Sequence, residues 1–291
     1  MPKIITQSDN WDFIVHTEKL QRANGQSVDC WATIRQDTGE FLGNVSEARY
    51  GILQNQDFIS TIRDSLVSLG LADYVEDIVA VDSGRRIYAT YTFPKRLHTL
   101  PTKVGDKVAM KLQFANSFDT SITAQAAILA EILRCLNGMV CPEKELSLYR
   151  RHDKNISSAF VKDVIAQAAS SWESSIQSFD SMTSAPLSDE QGINVLTRLG
   201  FAKRMADKIQ AIWLSPDFSE SKLRTVYALY DAITQHLTHD VQNNAKAPRL
   251  EMAASRNRQA VLRLARMVRD PNYYNDMVKA LPIEIEATEI V

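Results

Sequence analysis

The sequence predicts an α+β protein: an antiparallel sheet with hairpins in the N-terminal half, packed against a mainly helical C-terminal half. Two observations carry this. Up to residue 155, short segments alternate apolar and polar residues between turn-forming residues, and beyond it apolar residues recur at three- and four-residue spacing. The first pattern is the period of a half-buried strand, the second that of an amphipathic helix.

The first alternating pair spans Val28 to Val45 and flanks Asp37-Thr38-Gly39-Glu40, a loop composition with Gly39 at the position that needs positive φ. Phe58, Ile62, Leu66 and Leu69 then mark a helix over 56–69, with Gly70 as its C-terminal cap. A second hairpin is expected from Tyr74 to Phe93 around Ser83-Gly84, and Pro94 and Pro101 bracket a connecting loop. Strand character resumes at Lys107 with Val108, Met110, Leu112 and Phe114, and it leads into a corner at Asn116. Residues 121–135 admit a helix or a strand. Their place between Thr123 and the Cys135-Leu136-Asn137-Gly138 turn favours a strand, followed by a short one over 145–151.

In the second half, Val161, Ile165, Ala168, Trp172, Ile176 and Phe179 form a continuous helical stripe. Ser188 and Gln191 have the spacing of a capping box, and Gly200 ends the helix they open. Phe201, Met205, Ile209 and Trp213 form the next stripe, broken by Pro216. Ser219 is the expected N-cap of a helix bearing Leu223, Val226, Tyr230, Ile233 and Leu237, and a last helix is expected over 249–268. The chain divides into a β-rich region (1–155), a helical region (156–281) and an acidic tail (282–291), and one domain with a helical cap is equally compatible with the pattern.

The 291 residues suffice for one large domain or two ordinary ones, and a composition 45% hydrophobic and 23% charged is that of a globular chain. The net charge of −2 gives no whole-molecule attraction to nucleic acid, so any basic site must arise from local segregation. No apolar run reaches the roughly 18 residues of a membrane span, and the N-terminus lacks a signal-peptide layout. Cys30, Cys135 and Cys141 are too few and too irregular for a disulfide framework, which fits a reducing cytoplasm.

Charge does segregate locally. Arg85, Arg86, Lys95, Arg96, Lys103, Lys107 and Lys111 face one acid, Asp106, within a single stretch. A second excess runs from Lys246 to Arg269, where Arg256, Arg263 and Arg266 fall opposite Val261, Leu264 and Val268 on a helix. These residues are the candidate phosphate contacts, with Tyr88 and Tyr91 as stacking surfaces. The alternative is a solvated helix face and an edge strand blunted by charge. His152, beside Arg150, Arg151 and Lys154, reads as part of a third basic cluster. His236 and His239 sit one helical turn apart, adequate for a divalent metal but lacking the glutamate placement of a zinc hydrolase; no cofactor is expected. Asn116, Ser117 and Asp119 suit the hydrogen-bonding needs of a sharp corner. A catalytic role would gather Asn116, Asp119 and Asn137. No phosphate-cradling glycine loop or nucleophile elbow is present.

Arg49-Tyr50 with Gln54-Asn55, then Asn116-Ser117-Phe118-Asp119, then Cys135 to Val140, resemble the phage/plasmid-like proteins grouped as domain of unknown function 932. Tyr227, Tyr230-Asp231-Ala232, Thr234 and His239 are similar to that family's C-terminal helical signature, with Asp231 where an asparagine is common and Thr120 where a glycine often follows the aspartate. The resemblance spans residues 40–270 and implies carriage on mobile elements of a bacterial host, with no activity to transfer. The hairpins and basic edge also look like the core of single-strand annealing proteins. The expectation is a cytoplasmic, oligomer-forming protein that binds single-stranded nucleic acid in recombination, annealing or DNA transfer. An enzyme built around Asn116 and Asp119, or a counter-defence factor binding a host protein, are the alternatives.

Overall fold

The computed structural model describes residues 3–6, 11–46, 49–102, 105–132, 138–140, 147–216, 223–236, 260 and 262–280. Among the described residues, strands and helices follow in this order. The strands are β1 (Lys3–Thr6), β2 (Val15–Gln21), β3 (Ser27–Arg35), β4 (Phe41–Val45), β5 (Val75–Val81), β6 (Arg86–Thr99), β7 (Lys107–Ser117), β8 (Ala124–Ile132), β9 (Gly138–Val140) and β10 (Ser147–Arg150). Helix α1 (Asn55–Ser68) separates β4 from β5, and α2 (Phe160–Ser184), α3 (Asp189–Leu199), α4 (Lys203–Leu214), α5 (Val226–Gln235), α6 (262–269) and α7 (Pro271–Val278) follow β10.

The strands form two sheets. The larger has the order β1-β5-β6-β7-β8-β10, and β9 shares the far edge of β8 with β10. Every pairing in it is antiparallel except β1 against β5, which is parallel. The smaller is the antiparallel meander β2-β3-β4. Its first hairpin, not among the turns expected from the sequence, turns through Asn24-Gly25, where Gly25 takes φ +80. The α+β class is thus the observed one, with strands in the first half and helices in the second.

Central strand β6 turns Ile87, Ala89, Tyr91 and Phe93 into the core, where they meet Leu112, Phe114, Ala124 and Ala126 of the neighbouring strands. Helices α1 and α2 close over this face: Phe58 stands edge-on to Phe114 at 6.2 Å and also packs on Phe160. The same core continues without interruption through Trp172 and Phe179 to Trp213 and Tyr230. Arg63 of α1 forks onto the fully buried Glu76 carboxylate of β5 at 2.6 and 2.8 Å, which satisfies that charge and fixes the helix on the sheet.

The turns follow their chemistry. Gly70 and Gly200 follow α1 and α3 at φ +71 and +77, and the Ser188–Gln191 capping box forms in full. Three local expectations are corrected. Pro94 does not open a loop, because β6 runs on to Thr99; the register shifts between Phe93 and Leu97, and a bulge there spares the ladder the missing N–H. Thr225 caps α5, its Oγ1 accepting from the Ala228 amide at 3.2 Å, so Leu223 lies outside the helix and is exposed. The helix expected to be the last, over 249–268, is followed by another: the Asp270 carboxylate caps α7, with Pro271 in its first turn. Ser219, Cys135, Cys141, the start of the 249–268 helix and the acidic tail lie outside the described residues.

Candidate functional site

One end of the large sheet is a corner where β7 ends and β8 begins. Asn116 is fully buried there, and its Nδ2 donates to the Leu53 carbonyl at 2.8 Å and to Asn55 Oδ1 at 3.1 Å; Asn55 in turn donates to the Trp11 carbonyl. Asn116 Oδ1 has no hydrogen-bond partner. Ser117 Oγ closes the corner, donating to the Ile122 carbonyl and accepting from its amide. Asp119 Oδ1 accepts from the Ser121 amide, and Thr120 takes φ +63. The family-like asparagine and aspartate thus hold backbone at a turn.

The small sheet docks against this corner. Thr33 Oγ1 donates to the Phe118 carbonyl at 2.7 Å, and Phe118 packs with Phe13, Val15 and Leu42. A Cβ on Gly43 would lie 2.6 Å from Asp119 Cα, so β4 approaches the corner at a distance only glycine permits.

Tyr50 and His152 form the other wall. The Gly51 amide donates to the His152 carbonyl at 3.1 Å, and a Cβ on Gly51 would lie 2.2 Å from the Asp153 carbonyl oxygen. This close crossing stacks the Tyr50 ring on the His152 imidazole, with centroids 5.4 Å apart and 24° between planes. Tyr50 Oη donates to the Ser117 carbonyl at 3.1 Å. Burial and the nearby Asp119 charge hold the Tyr50 phenol protonated, its pKa raised. His152 is only 9% exposed, and neither ring nitrogen has a partner in hydrogen-bond geometry. Burial lowers its pKa to about 4, against weaker opposing effects of the Gly51 backbone, Asp119 and Asp153. It is a neutral imidazole at pH 7 and not a member of a basic cluster, as its sequence neighbours suggest.

The cations around it are those neighbours. Arg150 pairs across from Ala124 at the start of β8, while Arg86 lies opposite Ser117 at the end of β7. Three strand spacings of about 4.8 Å separate β6 from β10, so the two arginines flank the corner about 14 Å apart across the sheet. The Arg85 carbonyl accepts from the Phe118 amide at 2.8 Å, which puts Arg85 beside Asp119. Arg49 and Arg151 each precede one member of the Tyr50–His152 stack. Arg49, Arg150, Arg151 and Lys154 are exposed and form no ion pair among the described residues.

The stretch from Arg85 to Lys111 does not form one basic patch. Arg85 and Arg86 belong to this corner, and Arg86 is paired with Asp82. Lys95, Arg96 and Lys107 sit toward the opposite end, about 30 Å along β6 at roughly 3.3 Å per residue. Lys95 pairs with Asp73 at 2.6 Å. Lys111 lies mid-sheet opposite Thr92, with its charge acting on Asp77. Tyr88 and Tyr91 are 3% and 0% exposed, so neither offers a stacking surface. Both faces of β6 are covered at these positions, and alternation alone does not report that. On α6, Arg263 donates to the Arg198 and Leu199 carbonyls at the end of α3, and Arg266 pairs with Asp270 over the Tyr273 ring. These two arginines of the stripe are thus engaged with neighbouring helix ends. His236 is buried at the end of α5. Asn137, His239, Arg256 and Lys103 lie outside the described residues. Among the described residues, no group of three or more His, Cys, Asp or Glu is placed to hold a metal, and no helix is long and apolar enough to cross a membrane.

No curated protein and no solved structure matches the chain. The corner, the Tyr50–His152 stack and most of the helical half fall inside a single family match over residues 42–265. The chain therefore belongs to the family described as domain of unknown function (DUF932).

Proposed function

We propose that the chain binds single-stranded nucleic acid through its phosphates at the sheet end formed by Arg49, Arg85, Arg150, Arg151 and Lys154. One observation carries this: Arg49, Arg150, Arg151 and Lys154 are exposed, lack ion-pair partners among the described residues, and lie around one corner. Unpaired cations gathered on a chain of net charge −2 make a local field that the whole molecule lacks. The setting we propose is recombination, annealing or transfer of a mobile element in a bacterial host.

The test is fluorescence anisotropy with a labelled single-stranded oligonucleotide at several salt concentrations. Each phosphate contact contributes about 0.7 to the slope of log affinity against log salt for a single strand. The quadruple change of Arg49, Arg150, Arg151 and Lys154 to Ala is expected to weaken binding at least tenfold and to lower that slope by up to about 3. Changing Lys95, Arg96 and Lys107 to Ala leaves both nearly as they were. Equal losses from the two sets, or binding indifferent to salt, would sink the proposal.

A further inference from the structure

His152 is the residue that this reading leaves unused. It is about nine-tenths buried, neither ring nitrogen has a partner in hydrogen-bond geometry, and the exposed Arg49 and Arg151 directly precede the two members of its stack with Tyr50. Burying a polar ring without hydrogen bonds is costly, and native structures accept such a group where a ligand completes it. We infer that a phosphate drawn in by Arg49 and Arg151 is met by the His152 ring, which takes up a proton as the anion binds, making this corner a proton-coupled phosphate site.

The argument rests on the binding site proposed above and deepens it. The charged and titratable groups facing the ring are Tyr50 from the segment before α1, Asp119 from the β7–β8 corner, and Asp153 from its own segment, with Arg49 and Arg151 adjoining. Tyr50 stays neutral, so it does not compete for the proton. The two carboxylates favour a protonated ring, yet burial outweighs them in the free protein. An anion at the unpartnered nitrogens adds the missing opposite charge and a hydrogen-bond acceptor together, which tips the balance toward imidazolium. A neutral donor or an aromatic guest would not do this, because neither pairs with the proton.

The sign follows. Free His152 is neutral down to about pH 4. A bound phosphate raises that value, so affinity grows as pH falls through the raised value, by at most tenfold per pH unit for one proton. A phosphodiester carries no titrating proton in this range, so the slope belongs to the protein.

Two probes and two readouts test it on the full chain: a single-stranded oligonucleotide and inorganic tripolyphosphate, followed by anisotropy or calorimetry between pH 5.5 and 7.5 and by NMR of the His152 ring. Expected are severalfold tighter oligonucleotide binding at pH 5.5 than at pH 7.5, a His152 titration moved up by about two pH units on binding, and a flat profile in His152→Gln. The ring titration uses the unaltered chain, so it stands even where the variant folds poorly. Salt-dependent oligonucleotide binding with an unmoved His152 titration overturns proton coupling and leaves the nucleic-acid reading intact. Tripolyphosphate binding that shifts His152, without oligonucleotide binding, keeps the proton-coupled site and overturns the strand as its ligand. Failure of both probes to bind overturns both.

Discussion

His152 shows how burial, more than identity, sets what a side chain does. Its pKa is depressed to about 4 from an unfolded value near 6.5, so between those pH values the unfolded chain binds the proton and the folded chain does not. Its contribution to stability is therefore undiminished above about pH 6.5 and falls as pH drops toward 4, by up to about 3 kcal/mol at 1.36 kcal/mol per pKa unit. We expect denaturant melts of the unaltered chain to lose more stability between pH 7 and pH 4.5 than those of His152→Gln. Parallel loss in the two would show that His152 is not the group responsible. Asn116 gives the opposite lesson. Its amide holds Leu53 and Asn55 in place, and Asn116→Ala removes both bonds inside a dry site, at a cost of about 2–3 kcal/mol by the same denaturant measurement.

At the scale of elements, the legible parts were those whose cause is local. The Asp37–Glu40 and Ser83-Gly84 turns, the Ser188–Gln191 box and the glycine stops are written in adjacent residues, and each formed where expected. What was not legible depends on partners far along the chain. Tyr88 and Tyr91 alternate as if one faced solvent, yet β6 lies between β5 and β7 and both are covered. Arg85 and Lys95 are close in sequence, but one extended strand carries them to opposite ends of the sheet. His152 sits among Arg150, Arg151 and Lys154, and only the crossing with Gly51 reveals it as buried. The approach of β4 to the corner depends on Gly43 in the same non-local way. A methyl group there meets Asp119 backbone at 2.6 Å, which cannot yield as a flexible side chain would. Gly43→Ala is expected to destabilise by about 2 kcal/mol or more. Gly25→Ala, at φ +80 with nothing within 4 Å of its Cβ, strains only its own turn and costs about 1 kcal/mol. Thermal melts of the two variants should separate in that order.

At the scale of the whole molecule, the composition shift near residue 155 marks a change of secondary structure more than a break in the core. Phe58 of α1 packs against both Phe114 of the sheet and Phe160 of α2, and the buried cluster runs unbroken from Leu53 to Met277. A fragment ending at residue 155 would expose the sheet face that Val161, Ile165 and Ala168 cover, along with Phe58 and Phe93. At about 25 cal/mol per Å² of apolar surface, even several hundred square ångströms left uncovered amounts to roughly 10 kcal/mol, comparable to the full stability of a typical domain. We therefore expect the 1–155 fragment to lack a cooperative unfolding transition and dispersed NMR methyl signals, and the 156–291 fragment likewise. Mixing the two should restore a single transition if the shared core is what holds them. A 1–155 fragment that melts cooperatively by itself would show instead that the sheet carries its own core and that α2 merely caps it. In that case the fragment, which contains both Tyr50 and His152, would keep their stack, and the corner could be titrated in the absence of the helical half.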